Sequence, residues 1–581
     1  MLRDIKSYPL VLKNCLIAGL TVFSSLALSQ PATAPRAEAI YFGGSILTMA
    51  GDTPRYAEAV AIRNGKIINV GSKAAALQLR DERTRMVNLA GKTLLPGFID
   101  AHGHTWMTGF QKLSANLLPP PDGRASDIPT LLSLLKEWQS KNPVAIDKVG
   151  WIIGFGYDDS QLAEKRHPTA ADLDQVSTEI PIVIIHQSSH LASMNHKALE
   201  LAGITSASPN PAGGVIRRLA DGRTPDGVLE EMAFFAPMFK VLASFDQNAS
   251  EKIALAGADY YAQFGFTTAQ EGRASKQITQ TWHKLADEGK LKIDIAAYPD
   301  LQAESTFMSE AGTKKTYRNH FRIAGVKLSL DGSPQGKTAW LSEPYVHVPL
   351  GQPADYRGYP AIPKSDDLQS LVNQAFNNNW QVLAHTNGDA AADALINAVA
   401  KAEKRYGKGD RRTVMIHAQT VREDQLDRMK QLGIVPSFFS MHTYYWGDWH
   451  RDETLGKDRA LRISPTQSAL KRGMWFTEHH DAPVALPSSI MILHTTVNRT
   501  TRSGAVLGED QRVSPYIALK SITDWASRQY FEEKSKGTIS VGKLADLVIL
   551  DKDPLKVDPA TIRDIKVLET IKEGKTIFSQ N

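Results

Sequence analysis

Two histidines separated by one residue close an apolar run in the stretch LLPGFIDAHGHTWM, residues 94–107. In a β-strand, residues i and i+2 point to the same face, so His102 and His104 can bind one metal ion from a single strand end. Histidine is a common metal ligand, but most histidine pairs in soluble proteins are surface or packed residues. The pair therefore indicates a metal site only if further ligands follow on other strands.

Further ligand-type residues do follow, at the ends of successive strand-like segments. Together with the first pair, the candidate metal ligands are His102, His104, Lys327, His385, His417 and Asp481. Apart from the histidine pair, each comes from a different segment, and a set ordered in this way is hard to obtain by chance. Imidazole and carboxylate ligands suit a divalent cation, and Zn²⁺ is the first candidate. Whether one ion or two bind stays open.

The elements that must position these residues are strands alternating with helices. Downstream of His104, buried strand-like segments that end in polar residues cover 264–272, 292–300, 325–333, 380–389, 412–421, 434–442 and 473–483. With the strand before His102 the count is eight, which predicts an α/β fold of the (β/α)8 TIM barrel type over residues 94–534. Such barrels carry their chemistry at the carboxyl ends of the strands. Residues 105–263 do not follow this alternation of strands and helices, and they are interpreted as a large insertion that covers the barrel mouth.

Two shorter β-rich regions flank the predicted barrel. Residues 37–93 hold runs of alternating apolar and polar residues around Asn64-Gly65, which is a strong hairpin signal. Residues 535–581 have a similar β-rich pattern. Each region is too small to bury a core alone. We therefore expect the two chain ends to pair into one small composite β-sandwich domain.

Charge and the amino-terminal residues limit the functional classes. A formal charge of +5 over 581 residues gives no case for nucleic-acid binding. Residues 1–29 have the pattern of a signal peptide, with a basic start, an apolar run over 15–28 and a cleavage site at Ala27-Leu28-Ser29. A retained anchor is the alternative, although the run is short for a transmembrane helix. Cleavage implies a periplasmic or secreted protein without stable membrane insertion.

The motifs also carry a family resemblance that covers nearly all of the chain after the signal segment. In order, they include LLPGFIDAHGH, GVKLSLDGS, HTNGD, IHAQ, DAPV and GTISVGKLADLVILDKDPL. The chain resembles the amidohydrolase superfamily of metal-dependent hydrolases. Within it, the chain is similar to the YtcJ-like branch, which contains N-substituted formamide deformylase-type enzymes. The motif set is specific for the superfamily and much less specific for the substrate.

The resemblance implies roles for the candidate ligands. Two histidines and the aspartate would hold one divalent ion, and two further histidines a second. Lys327 would be carboxylated and would bridge the ions; the alternative is a lysine paired with Asp331 or another carboxylate at the mouth. A metal-bound water that loses its proton would act as the nucleophile, and Asp481 would pass that proton to the leaving amine. The implied reaction is hydrolysis of an amide-like C–N bond, N-acyl or N-formyl, in a small-molecule substrate.

Three more histidines are candidate substrate contacts, with packing roles as the alternative: His190, His442 and His480. His480 departs from the family pattern, because many relatives have serine before the aspartate.

Two other functions stay open. Mononuclear deaminases of the superfamily commonly carry glutamate three residues after the strand-five histidine, whereas His385 is followed by Thr386-Asn387-Gly388. A catalytically inactive binding protein would be marked by lost ligands, yet every position is filled. The sequence leaves a homodimer open as well.

Overall fold

The computed structural model describes residues 36–243, 245–349 and 351–580. The predicted signal segment, residues 1–29, lies outside them. Within these ranges no helix has both the length and the apolar character needed to span a membrane.

The strands form four sheets. In chain order they are β1 (Ala39–Leu47), β2 (Tyr56–Arg63), β3 (Lys66–Gly71), β4 (Arg85–Asn88), β5 (Thr93–Pro96), β6 (Phe98–Ile99), β7 (Ala115–Asn116), β8 (Ile152–Tyr157), β9 (Ile182–His186), β10 (Leu191–Met194), β11 (Gly214–Arg218), β12 (Pro225–Glu231), β13 (Phe266–Ala274), β14 (Asp294–Pro299), β15 (Phe321–Ile323), β16 (Gly325–Ser329), β17 (Gln381–Thr386), β18 (Val414–His417), β19 (Val435–Phe438), β20 (Thr477–Glu478), β21 (Leu547–Leu550), β22 (Val567–Lys572) and β23 (Lys575–Ser579).

Helices lie between many of the strands. They are α1 (Lys73–Leu77), α2 (Thr105–Leu113), α3 (Ile128–Lys141), α4 (Pro143–Val149), α5 (Ala170–Asp174), α6 (His196–Ala202), α7 (Met232–Ala243), α8 (Gln247–Gln263), α9 (Lys276–Asp287), α10 (Leu301–Ala311), α11 (Ser365–Asn377), α12 (Asp389–Tyr406), α13 (Glu423–Gln431), α14 (Met441–Trp449), α15 (Lys457–Ala460), α16 (Thr466–Lys471), α17 (Ser489–Asn498), α18 (Pro515–Ser521) and α19 (Asp524–Gln529). Several begin at a capping side chain that accepts a backbone N–H, such as Ser275 before α9 and Asp300 before α10.

Strands from both chain ends lie in one eight-stranded sheet, with β21 antiparallel to β5. Hydrogen bonds connect all eight strands, whereas the sequence predicted a sandwich of two sheets. The reason lies in β1, whose register shifts between Phe42 and Ile46. Before the shift β1 pairs with β4, and after it with β5, so one bent strand joins both parts.

The barrel-type part consists of two parallel sheets, β6–β13–β14–β15 and β16–β17–β18–β19–β20. They meet at the fourth strand, which Ala324 divides into β15 and β16. At the other junction, the backbone N–H of Asp481 donates to His102 O at 3.2 Å, and that of His104 donates to Ala482 O at 2.8 Å. Each of the eight predicted segments contains a strand, and their carboxyl ends face the same way.

The segment between β6 and β13 has its own six-stranded sheet, in the order β11–β12–β10–β9–β8–β7. A separate apolar core lies beneath it and includes Leu117, Leu131, Leu135 and Ile182. Side chains tie this insertion to α14, the helix after the seventh barrel strand. Tyr445 Oη donates to Asp122 at 2.5 Å, and Trp446 Nε1 donates to Asp158 at 2.6 Å.

Candidate metal centre

Three of the predicted ligands converge where β6 and β20 end. The Nε2 atoms of His102 and His104 lie 3.1 Å and 3.3 Å from Asp481 Oδ1. His417 Nε2 approaches the other oxygen, Asp481 Oδ2, at 3.7 Å. Ligand atoms of His102, His417 and Asp481 all lie within 4.8 Å of one another. The end of β18 and the segments that follow β6 and β20 therefore bring these side chains together, although His102, His104 and Asp481 lie just beyond their strands.

Neighbours on β13 fix which nitrogen of each first-strand histidine faces Asp481. His102 Nδ1 lies 2.6 Å from Gln270 Oε1, and His104 Nδ1 lies 2.6 Å from the carbonyl oxygen of Gly272. Gln270 Nε2 donates to Ala101 O, so its Oε1 is the acceptor for His102. Both Nδ1 atoms must then carry a proton. Burial lowers the pKa of His102 to about 3, so its Nε2 keeps a lone pair near pH 7. This is the orientation that metal-binding histidines adopt.

Lys327 is buried in the same group, with Nζ 3.0 Å from His102 Nε2. Burial is the main reason why the pKa of Lys327 falls to about 7. Within the described ranges, Lys327 makes no ion pair shorter than 4.0 Å. Asp331, its predicted alternative partner, instead accepts the backbone N–H groups of Asn387 and Gly388. Asp331 is therefore engaged by backbone groups rather than by Lys327, and the role of Lys327 stays a prediction.

His385 and His417 form a second pair, with ring centroids 4.6 Å apart. His385 Nδ1 lies 3.2 Å from Asp331 Oδ1, which leaves its Nε2 directed elsewhere. His417 Nδ1 lies 3.1 Å from His479 Nε2, and His479 Nδ1 lies 3.0 Å from Ser437 Oγ. Burial lowers the pKa of both rings, so both are neutral near pH 7 and each can offer a lone pair.

The three predicted substrate contacts occupy different surroundings. His190, in the insertion, has its ring 5.4 Å from that of His385, and its Nδ1 lies 2.9 Å from Glu231 Oε2. His442, on α14, contacts Phe439 and shares a 2.9 Å hydrogen bond between its Nδ1 and His450 Nε2. Both roles stay predictions.

His480 packs behind the ligands. Its ring is fully buried against Tyr261 and Phe266, and its Nε2 lies 3.3 Å from Asp100 Oδ1. Its substrate role also stays a prediction, and the structure gives it the packed surroundings that were the alternative.

Sequence reasoning missed the residues that orient the ligands, namely Gln270, Asp331 and His479. Each is a buried polar residue on or just after a barrel strand. His479 stands beside His480 in the sequence, and if the strand pattern of 473–483 is extended to Asp481, alternation assigns His479 and Asp481, rather than His480, to the ligand side.

The donor set fits a divalent cation. Burial leaves His417 Nε2 and Asp481 Oδ1 without a hydrogen bond to any described residue, which is costly unless another group binds them. Burial opposes ionisation of Asp481, but the imidazoles of His102 and His417 outweigh it and hold the pKa of Asp481 well below its usual value. Buried neutral imidazoles around an ionised carboxylate are the ligands that Zn²⁺ and similar ions prefer. We call these six residues, His102, His104, Lys327, His385, His417 and Asp481, the candidate metal centre.

Two other groups of ligand-type residues have partners of their own. Asp294, near His320 and Glu573, pairs with Lys536 at 2.6 Å and Lys572 at 2.8 Å. Asp158, near Asp159 and His186, accepts Trp446 Nε1. The two lysines already neutralise the carboxylate of Asp294. In the group around Asp158, the carboxylate already accepts a hydrogen bond from the Trp446 side chain.

Comparisons with known proteins agree with this geometry. The sequence profile described as "Amidohydrolase family" matches residues 85–578. Amidohydrolase YtcJ of Bacillus subtilis (strain 168) is 25% identical over 570 residues, which cover 94% of this chain and 100% of that protein. N-substituted formamide deformylase of Arthrobacter pascens is 25% identical over 89% of this chain and 94% of its own length.

A solved structure extends the comparison to the fold. The metal-dependent hydrolase from Pyrococcus horikoshii OT3 has a TM-score of 0.71 at 24% identity, covering 90% of this chain and 99% of its own. The fold is therefore of the TIM-barrel type. The profile match covers most of the sequence, so the chain belongs to the amidohydrolase family, a family of hydrolases that implies a divalent metal ion.

Proposed function

We propose that the protein is an exported hydrolase that cleaves an amide-like C–N bond in a small molecule, such as an N-acyl or N-formyl amide. The observation that carries the proposal is the convergence of the Nε2 atoms of His102, His104 and His417 on the carboxylate of Asp481. Family membership and the similarity to a formamide deformylase support the reaction class. Export rests on the sequence of residues 1–29 alone.

The candidate metal centre would hold one or two divalent ions, with Zn²⁺ expected first. When bound, such an ion lowers the pKa of a water molecule and polarises a carbonyl oxygen. His102, His104 and Asp481 would form one half of the site, and His385 and His417 the other. Gln270, Asp331 and His479 keep the imidazoles in the tautomers that this requires.

Lys327 is proposed to be carboxylated. Only a neutral amine reacts with carbon dioxide, and a pKa near 7 leaves a large neutral fraction of Lys327 at physiological pH. The product would be an anion next to His102, whose Nε2 now lies 3.0 Å from the Lys327 amine. Such an anion would offset the charge of two bound cations.

Asp481 is proposed to move the proton. It would accept a proton from the attacking water as the oxygen bonds to the carbonyl carbon, and it would donate that proton to the nitrogen as the C–N bond breaks. The pKa of Asp481 lies well below its usual value, so Asp481 is ionised near pH 7 and can accept the proton. His190 and His442 are proposed to contact the substrate.

Deamination, the second candidate function, has less support. The acid typical of the mononuclear deaminases would stand at Gly388. A Cβ atom there would lie 1.8 Å from Trp340 O, so the backbone leaves no room for a carboxylate side chain.

Metal analysis combined with one substitution tests the proposal. Purified protein should contain tightly bound divalent metal and lose amide hydrolysis on chelation. Asp481→Asn keeps the shape and one oxygen, so we expect it to retain most of its metal but lose at least about two decades of kcat. An activated ester should suffer less, because its leaving group needs less protonation. Near-wild-type turnover of the amide by metal-loaded Asp481→Asn would remove Asp481 from the mechanism.

A further inference from the structure

Arg273 occupies a strained position at the carboxyl end of β13, the second barrel strand. The pairing of β13 with β14 passes from Gly272 to Ala274, so Arg273 is the extra residue of a β-bulge, with φ of 56°. A left-handed φ is uncommon for a residue with a side chain, and bulges often re-aim a side chain next to an active site. An observed strain of this kind points to a role for the Arg273 side chain.

The bulge lies directly beside the candidate metal centre. Gly272, the preceding residue, has its carbonyl oxygen 2.6 Å from His104 Nδ1. Arg273 Nε donates to Asp300 Oδ2 at 3.1 Å, and the backbone of Asp300 bridges to that of Lys327. Asp300 is itself held, because its other oxygen caps α10. The guanidinium is thus fixed at the level of the strand ends that carry the ligands.

Aromatic contacts connect Arg273 to the other side of the centre. Its guanidinium carbon lies 4.8 Å from the centroid of the Phe235 ring. The Phe235 ring lies 6.1 Å from His190, whose ring lies 5.4 Å from that of His385. Arg273 and His385 therefore flank one continuous surface, formed by Phe235 and His190, at the mouth of the barrel.

One edge of this guanidinium is free. Nε is used by Asp300, but Nη1 and Nη2 make no hydrogen bond with any residue in the described part of the chain. The side chain is 29% exposed, so the free edge is accessible in a half-buried setting. Two parallel N–H groups match the two oxygens of a carboxylate, and a charge-assisted pair of this kind is stronger than a neutral hydrogen bond.

We propose that Arg273 binds a carboxylate group of the substrate, so that the compounds cleaved at the candidate metal centre are amides bearing a carboxylate, such as N-acyl amino acids. A planar monoanion fits one free guanidinium edge in both shape and charge. The acyl amide would lie over Phe235 and His190, with its scissile bond toward the metal ligands. This inference rests on the proposed function for the choice of an amide, but its carboxylate site can be measured without hydrolysis.

Matched ligand pairs test the site by binding. Each N-acetyl amino acid is compared with its primary amide, which has the same shape and no charge, by titration calorimetry on metal-loaded protein. For at least one side chain, the acid should bind about ten- to a hundredfold more tightly than the amide. Arg273→Gln should abolish this preference. Arg273→Lys keeps the charge but loses the two parallel N–H groups, so it should retain only part of the preference. Equal binding of acid and amide by the wild-type protein in every pair would overturn the inference.

Arg411→Gln is the matched control. Arg411 also lies over a phenylalanine, with its guanidinium carbon 4.5 Å from the Phe376 ring, but it precedes β18 and is at the opposite end of the barrel. The control should keep the preference for the acid, and loss of the preference in Arg411→Gln as well as in Arg273→Gln would also overturn the inference.

Hydrolysis separates the two proposals. Equal cleavage of acids and neutral amides, unchanged by Arg273→Gln, would refute the carboxylate site and leave the amidase function standing. Acids that bind through Arg273 but are never cleaved would support the carboxylate site and refute the proposed amide hydrolysis.

Discussion

Replacing Gly272 by alanine should displace His102, a candidate metal ligand, although the substitution leaves His102 itself unchanged. A Cβ atom at this position would lie 2.8 Å from His102 Cε1, 3.0 Å from Gly103 O and 3.2 Å from Gln270 Oε1. Ordinary carbon contacts are about 3.5–4.0 Å, so the His102 ring must move by roughly half an ångström or more. The φ angle of Gly272 is outside the left-handed region, so alanine adds this clash without backbone strain.

The His102 ring has little room to retreat. It is fully buried, with Gln270 at 2.6 Å from Nδ1 and Lys327 at 3.0 Å from Nε2. Overpacking of this kind costs about 1–3 kcal/mol of stability. Disturbing the surroundings of a metal ligand typically lowers metal affinity about 10- to 100-fold. We therefore expect Gly272→Ala to lower the melting temperature and to bind Zn²⁺ at least about tenfold more weakly.

The assay is metal content measured against a series of zinc buffers, with melting temperature on the same preparations. Gly409→Ala is the control, because the nearest atom to its new Cβ is the flexible end of Arg411 at 3.1 Å. An unchanged zinc affinity and melting temperature in Gly272→Ala would refute the packing argument, since they would mean that the His102 pocket yields freely.

Three further predictions concern Lys327, the carboxyl-terminal strands and Glu271. Lys327→Ala should lower bound metal and activity together, with partial rescue by short carboxylic acids that replace the carbamate oxygens; full activity and metal content would reject the bridge. Deleting residues 537–581 removes β21, the partner of β5, so the exposed sheet edge should give insoluble protein, and a soluble metal-loaded truncation would contradict this. Burial raises the pKa of Glu271 to about 8. Its folded pKa exceeds the unfolded one, so the stability that the protonated form contributes is complete below about pH 4.5 and is lost as the pH rises through about 8. Glu271→Gln should flatten the fall in melting temperature over this range, and an identical fall in both proteins would exclude Glu271.

The positions of the candidate ligands at strand ends could be predicted from the sequence because each depends on local information. His102 and His417 follow or end short apolar runs. A run of this kind predicts a buried strand, and the first polar residue after it marks the carboxyl end of that strand. The eight strand segments were located on the same basis. Their order in the two parallel sheets then follows from the chain order, because βα units place successive strands side by side.

The partners of these ligands could not be read in the same way. Gln270 and His479 are buried polar residues, and nothing in a strand pattern tells which neighbour a buried amide or imidazole will meet. The single sheet at the chain ends was missed for a related reason, since it depends on the bend of β1 rather than on the alternation of any strand. Pairing across strands is set by packing of the whole molecule.

The barrel strands and the insertion supply different residues to the candidate site, and this difference bears on how a substrate would be selected. All six residues of the candidate metal centre follow or lie in barrel strands, whereas His190, Glu231 and Phe235 belong to the insertion. The insertion also holds α14, the helix of His442, through Asp122 and Asp158. Under the proposed function, substitutions in the insertion would therefore change the surroundings of the scissile bond and leave the candidate ligands unchanged. Arg273 is different, because it lies on a barrel strand next to a residue that orients His104. A carboxylate site there would be fixed to the metal ligands rather than to the insertion, so it would persist while the insertion varied the rest of the substrate.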